Sequence, residues 1–238
     1  MVMRFQPSYF IYYPGGAGGN FIASLCIHAL SRGQHAPVFH SVGHAHYLYT
    51  NHLKGFIPQC PEDQNQLVNM VSSCRDPWLV FCPPSRLRDQ LTYECVTDYN
   101  LVITSTPEDQ LELAFNHYYK NWRENDMQYI CPELKQVLAQ MQVQELLPEI
   151  TRWNQLDTYQ TMSLLKEYVA FMDSGSTWGD LARPEDTVIA YRDIHDRPNT
   201  VLQVLEQWLG IELPHQIERV YEQYLMLNQQ LRSKYWRP

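Results

Sequence analysis

The chain has 238 residues, 45% of them hydrophobic and 18% charged, so it can bury a sizeable core and is not a disordered protein. Its formal charge is −8, from 26 acidic against 18 basic residues, which argues against broad nucleic-acid binding and against a generic anionic-membrane surface. None of the six cysteines lies at CxxC spacing from another, which excludes a zinc ribbon and a thioredoxin-type motif.

The first predicted elements are a strand, a glycine-rich turn and a helix. Residues 8–13 are rich in aromatics and predict a buried strand. The apolar residues of 20–31 fall near one face of a predicted helix, with Asn20 as its N-cap and Gly33 past its end. A strand, a turn and a helix in this order open an α/β unit.

The same alternation continues along the chain. Short apolar strands are predicted at 78–82, 100–105 and 187–191. Helices are predicted at 107–122, over most of 132–172, at 197–210 and at 214–234. Short apolar strands that alternate with helices predict an α/β fold, with a parallel sheet and helices on both faces. We find no linker, so we expect one domain over residues 1–238.

The glycine-rich turn "YYPGGAGGNF", residues 12–21, predicts an anion site. Such a turn points several backbone N–H groups at one spot, and the helix N-terminus adds partial positive charge. The Walker A pattern fails because no Gly-Lys pair follows, and the Rossmann pattern fails because Phe21 stands where its third glycine belongs. The alternative interpretation is a tight turn whose small residues only let the helix pack on the strand.

Three segments in this order resemble the sulfotransferase superfamily: the loop at 14–20, residues 101–122 and residues 187–211. The loop is similar to the family's phosphosulfate-binding loop. The second segment resembles the family's strand that ends in Arg-Asn-Pro-Lys-Asp and is followed by a helix. The third segment resembles the strand and helix at the end of the family's fold. The matching positions are Pro14, Pro107, Asp109, Tyr191, Asp193, Ile194, Pro198, Leu209, Gly210 and Ile211.

The resemblance implies a P-loop-containing sulfotransferase-like fold. It also implies transfer of a sulfuryl group from the nucleotide co-substrate 3′-phosphoadenosine 5′-phosphosulfate to a hydroxyl or amine, with no metal. The acceptor would be a small molecule, a glycan or a protein, and segments 31–75 and 123–180 would shape its pocket as insertions. The residues implied to bind the phosphosulfate are Pro14, Gly15, Gly16, Ala17, Gly18, Gly19 and Asn20. Ser105 and Thr106 would lie near the 3′-phosphate.

The chain departs from the family at its charged positions. Glycine stands in place of the loop lysine, Ser105 in place of the strand-end arginine, and Cys82 in place of a histidine. Arg86 and Arg88 directly follow the second short strand and are the first candidates to supply the missing charge, followed by Arg75, Lys120 and Arg192. The same departures keep two alternatives open: a non-catalytic protein that binds a nucleotide, an anion or a partner protein, and an atypical phosphoryl-transfer enzyme.

Four histidines, His40, His44, His46 and His52, lie within 13 residues. One interpretation makes His40, His44 or His46 the base that deprotonates the acceptor. A metal site is a second interpretation, because neutral imidazole suits zinc or nickel. The third interpretation is that these histidines make ordinary polar contacts in a partly exposed loop. His117, in the predicted helix 107–122, is interpreted as structural.

The location of the protein is inferred from its apolar segments. The apolar run near the N-terminus is short and is broken by Arg4, Gln6 and Pro7, so no signal peptide is recognised. No apolar run reaches the length of a membrane-spanning helix. We therefore expect a cytoplasmic protein with reduced thiols and no membrane span.

Overall fold

The computed structural model describes residues 7–33, 37–39, 45–47, 79–81, 97–120, 156–172 and 182–236. The strands are β1 (Pro7–Tyr12), β2 (Pro37–Phe39), β3 (Ala45–Tyr47), β4 (Leu79–Phe81), β5 (Thr97–Thr104) and β6 (Thr187–Ala190). The first helix is α1 (Gly19–Leu30). A 3-10 turn (Pro107–Asp109), α2 (Gln110–Ala114) and a π-helical turn (Phe115–Lys120) then follow without a break. We call this continuous segment the 107–120 helix.

Four helices come later in the chain: α3 (Thr158–Met172), α4 (Tyr191–Asp196), α5 (Pro198–Leu209) and α6 (Gln216–Tyr235). Gly210 ends α5 in the left-handed conformation, with φ of 65°, as the sequence predicted for a glycine past a helix end. None of the helices in the described ranges is long and apolar enough to cross a membrane.

Four of the strands form one parallel sheet in the order β4-β1-β5-β6. Ile11 of β1 pairs with Leu101 of β5, and Ile103 of β5 pairs with Ile189 of β6. The strands β2 and β3 pair antiparallel in a separate small sheet. The α/β class and the parallel sheet are therefore confirmed, whereas the sulfotransferase-like variant of this fold stays a prediction.

Both faces of the central strands are buried. Ile11 and Leu101 lie on one face, in the core cluster that also holds Phe21 of α1 and Leu205 of α5. Phe10 and Val102 point to the other face and are about 1% exposed. Full burial of an aliphatic or aromatic side chain stabilises a fold by roughly 1.5–3 kcal/mol, so this core fixes where the loops at the strand ends lie.

The predicted N-cap of the first helix is wrong by two residues. The carbonyl of Gly18 accepts the bonds from the N–H groups of Phe21, at 2.9 Å, and Ile22, at 3.1 Å. Gly18 is therefore the N-cap, with φ of 81°, and Asn20 is the second residue of α1. The left-handed backbone explains the glycine, because it costs an L-residue with a side chain roughly 1–2 kcal/mol.

The predicted helix at 107–122 is helical over 107–120, but it widens into a π-helical turn after Ala114. Of residues 132–172, predicted to be mostly helical, the structure describes 156–172, which include α3. Residues 132–155 lie outside the described ranges. Strand β5 begins three residues earlier than predicted, at Thr97. The single-domain organisation, with insertions at 31–75 and 123–180, stays a prediction.

Candidate anion site at the glycine loop

The glycine loop, Pro14–Gly18, turns sharply between β1 and α1. The N–H of Ala17 donates a 3.1 Å hydrogen bond to the carbonyl of Pro14. Gly16 and Gly18 have φ of 86° and 81°, in the left-handed region. Two left-handed residues flank Ala17, whose side chain is buried in the core. A loop with this conformation needs glycine at both positions.

Backbone N–H groups at the loop and the start of α1 are the main polar feature of the site. Within the described ranges, no hydrogen bond is made by the N–H groups of Gly15, Gly16, Gly18, Gly19 or Asn20. The N-terminus of a 12-residue α-helix adds partial positive charge at the same place. Such groups can hold the oxygens of a phosphate or sulfate.

The loop lies at the switch point of the sheet. From β1 the chain continues to β4 on one side, whereas from β5 it continues to β6 on the other side. Ligands of open α/β sheets bind outside the carboxyl ends of the two strands where the connections diverge. These two strand ends carry the glycine loop and the residues that follow Thr104.

The 107–120 helix packs against the loop. A Cβ atom on Gly16 would overlap the carbonyl oxygen of Leu113, and one on Gly15 would lie 3.1 Å from Nδ1 of His117. A Cβ on Gly19 would overlap the ring of Tyr13. The glycines therefore also serve close packing, as the turn interpretation of the sequence proposed.

Thr106, predicted to lie near the 3′-phosphate, is bound to Asp109. Its N–H and its Oγ1 donate to Oδ2 of Asp109 at 2.8 and 3.0 Å. Nε of Arg192 donates to Oδ1 of the same carboxylate at 2.6 Å. Burial alone would raise the pKa of Asp109, but the bonds from Thr106 and Arg192 hold it below its usual value. Ser105 follows β5 directly and is half-buried.

A partly buried polar network joins the loop to the last helix. Nδ2 of Asn116 donates to the hydroxyl of Tyr191 at 2.9 Å and, more weakly, to the carbonyl of Gly16 at 3.5 Å. The Tyr191 hydroxyl donates to Oε1 of Glu112 at 2.9 Å. Nη1 of Arg232 donates to the same oxygen at 2.5 Å. Burial and the Glu112 charge raise the pKa of Tyr191 well above its usual value, so its hydroxyl keeps its proton.

Two tyrosines of α6 pack on the first turn of α1. The ring of Tyr224 stacks on Phe21 with centroids 3.6 Å apart and an interplanar angle of 3°, and the ring of Tyr221 meets Phe21 edge-on at 4.9 Å. The Tyr221 hydroxyl donates to the carbonyl of Ile194. The Tyr224 hydroxyl lies beside Gly18, where a Cβ would be 3.1 Å from it.

The predicted loop residues and strand-end residues thus lie at one edge of the sheet, at the switch point. Of the histidines predicted as the base, only His46 lies in the described part of the chain. His46 lies in β3, opposite Val38, and β3 packs on α1. His40, His44 and Arg86 lie outside the described residues. Over the described ranges, no three His, Cys, Asp or Glu side chains are grouped to hold a metal ion.

Sequence reasoning missed His117, Glu112, Asn116 and Arg232 as neighbours of the site. A usable signal existed for the first three, because they lie on the helix that follows β5, next to a switch-point strand. Arg232 lies near the end of the chain, and no local pattern connects it with Glu112.

No protein-family model matches the chain, and a search of curated proteins likewise finds no match. The function is therefore inferred from the loop and its neighbours.

Proposed function

We propose that this protein is a divergent sulfotransferase, which binds the phosphosulfate of 3′-phosphoadenosine 5′-phosphosulfate at the glycine loop. One observation carries the proposal. Five backbone N–H groups have no partner within the described ranges, and they lie at the switch point of a parallel sheet. They belong to Gly15, Gly16, Gly18, Gly19 and Asn20. The resemblance of the loop, of 101–122 and of 187–211 to that superfamily supports the choice of ligand.

The reaction requires an anion holder and a base. An acceptor hydroxyl or amine attacks the sulfur, the bond between sulfur and the phosphate oxygen breaks, and adenosine 3′,5′-bisphosphate leaves. The loop N–H groups would stabilise negative charge on the oxygens of the transferring group and the leaving phosphate. The acceptor's proton goes to a base, for which His40, His44 and His46 stay the proposed residues. Ser105 is proposed to lie near the 3′-phosphate.

Binding of adenosine 3′,5′-bisphosphate to the full chain tests the proposal. Isothermal titration is expected to show binding of the bisphosphate without added metal and tighter than binding of ATP with magnesium. Gly18→Asp should abolish binding, because it places a carboxylate beside the N–H groups. Tighter binding of ATP with magnesium would instead favour the atypical phosphoryl-transfer enzyme.

Gly33→Asp is the matched control for Gly18→Asp. Gly33 also has φ of 81°, but it lies past the opposite end of α1. Both variants therefore carry the same left-handed backbone cost, and only Gly18→Asp brings a charge to the loop. Binding that is equal in Gly18→Asp and wild type would show that the loop is only a turn.

A non-catalytic binding protein is the second candidate, and a specific observation favours it. Arg192 and Arg232 are the two arginines that contact the 107–120 helix in the described structure, and each is paired with a carboxylate, Asp109 or Glu112. The charge of each arginine is therefore balanced locally. Formation of adenosine 3′,5′-bisphosphate from the phosphosulfate, with a panel of phenols, amines and sugars, separates the two candidates, because the binding protein forms none.

A further inference from the structure

We propose that the side chains of Tyr224 and His117 are direct ligands of the anion at the glycine loop, in place of the lysine that the loop lacks. This inference rests on the proposed anion binding and adds two residues to it. Both residues are distant from the loop in sequence, and both reach it at a glycine.

His117 lies on the π-helical turn that packs against Gly15. Three atoms of its ring, Nδ1, Cε1 and Cγ, would be 3.1–3.2 Å from a Cβ on Gly15. The imidazole therefore occupies the space that the glycine leaves open. The N–H of Gly15 is among those without a partner within the described ranges, so an anion on it would lie close to a ring nitrogen. π-Helical turns occur frequently at functional sites because they redirect single side chains.

Tyr224 approaches the loop from α6. Its hydroxyl would be 3.1 Å from a Cβ on Gly18, and the residue is only 5% exposed. The stacking on Phe21 holds the ring in place. Burial raises the pKa of Tyr224 and outweighs the lowering effect of a side-chain hydrogen bond with Asn228, so the hydroxyl keeps its proton and can donate it to an anion. A hydrogen bond from a fixed, buried donor to an anion is of the stronger, charge-assisted kind.

The two side chains contact the loop at positions three residues apart. Gly15 lies within the tight turn that is closed by the bond from Ala17 to Pro14, and Gly18 follows this turn as the N-cap of α1. One side chain therefore contacts the turn and the other contacts the residue that begins the helix. Together they could supply what a single lysine supplies in other loops, namely donors beside the backbone N–H groups.

Tyr224→Phe is the sharpest test, because it removes one oxygen and keeps the ring that stacks on Phe21. Titration with adenosine 3′,5′-bisphosphate, and separately with inorganic pyrophosphate, is expected to show affinity about 10- to 100-fold weaker than wild type. Tyr221→Phe is the matched control. It removes a hydroxyl from the next ring on Phe21, but that hydroxyl bonds to the carbonyl of Ile194, so the affinity should not change.

His117→Phe tests the second ligand, because it keeps an aromatic ring against Gly15 and removes both nitrogens. Its affinity should also fall at least about 10-fold. Should His117→Phe fail to fold, His117→Gln takes its place as the test of the histidine. Because glutamine keeps a polar donor, a partial loss of affinity is expected for His117→Gln. The test of the tyrosine by Tyr224→Phe does not depend on either variant.

The outcomes separate this inference from the proposed function. Wild-type affinity in both variants, with binding abolished in Gly18→Asp, overturns the two ligands and leaves anion binding at the loop intact. Absence of binding in the wild type, or unchanged binding in Gly18→Asp, overturns anion binding and the two ligands with it.

Discussion

The hydroxyl of Tyr191 donates a 2.9 Å hydrogen bond to Oε1 of Glu112, a residue 79 positions earlier in the chain. Tyr191 directly follows β6, whereas Glu112 lies on the helix that follows β5. The bond therefore joins the ends of two neighbouring parallel strands. Because Asn116 also donates to this hydroxyl, the same oxygen connects the strand ends to the glycine loop.

Tyr191→Phe should destabilise the fold by about 1.5–3 kcal/mol, because it removes a buried hydrogen bond to a charged carboxylate. Urea unfolding followed by circular dichroism measures the change. Tyr221→Phe is the comparison, because it loses a buried bond to a neutral carbonyl, a type of bond that contributes roughly 0.5–1.5 kcal/mol. An equal or smaller loss for Tyr191→Phe would contradict the network.

Asp109→Asn should make stability less dependent on pH. The pKa of Asp109 is lowered in the folded protein, because the bonds from Thr106 and Arg192 outweigh the effect of burial. A lowered pKa stabilises the fold above the unfolded value of about 3.9, and that contribution is lost as the pH falls through the folded pKa. The wild type should therefore be about 1.5–3 kcal/mol more stable than Asp109→Asn at pH 7, and the gap should close below about pH 4.

Arg192→Gln separates the two partners of Asp109. The side chain of Arg192 is 58% exposed, so its ion pair is screened by water, whereas the bonds from Thr106 lie at the start of the helix. Arg192→Gln should lose less stability than Asp109→Asn in the same pH series of urea unfolding curves. A larger loss in Arg192→Gln would mean that the ion pair, and not the helix start, dominates.

The sequence predicts the elements of this fold better than their contacts. The strands with Ile11, Ile103 and Ile189 are recognisable because each contains a short apolar run that is followed by a helix. Gly210 is recognisable as a helix end. The pattern of apolar residues along a segment predicts only the helix or strand that the segment itself forms. It therefore predicts the strands and the helix end that carry these residues.

The contacts around the loop could not be predicted in this way. His117 meets Gly15, and Tyr224 meets Gly18, only because the strand order brings β5 beside β1 and because α6 returns to the start of α1. A helix that turns from α to π also rotates its later side chains relative to a regular helix. His117 therefore received a structural interpretation from its helical pattern alone.

Arg32→Gly should stabilise the protein. Arg32 is exposed, follows the C-cap of α1 and has φ of 53°, a left-handed conformation that a residue with a side chain adopts at a cost. Its N–H and that of Gly33 donate to the carbonyls of Ala29 and His28, so the conformation is part of the helix end. Allowing for the greater chain entropy of glycine, a gain of up to about 1 kcal/mol is expected in urea unfolding.

Arg32→Ala controls for the loss of the arginine side chain, because alanine keeps the left-handed cost. It should show no comparable gain. Equal gains in the two variants would assign the effect to the guanidinium and not to the backbone.

Gly16→Ala should destabilise the protein far more than Gly210→Ala, although both glycines have positive φ. Around Gly210 a Cβ meets nothing within 4 Å, so only the left-handed cost of roughly 1–2 kcal/mol applies. At Gly16 the same atom overlaps the carbonyl oxygen of Leu113, and the loop or the 107–120 helix must shift. Such overpacking adds roughly 1–3 kcal/mol.

The difference between these two variants in urea unfolding therefore measures how closely the loop is packed on the 107–120 helix. A difference near zero would show that the loop moves away from Leu113 at little cost. In that case the helix would not hold His117 against Gly15, and the N–H groups of the loop would lack the rigid support that anion binding requires, because donors must be held in place before the charge arrives.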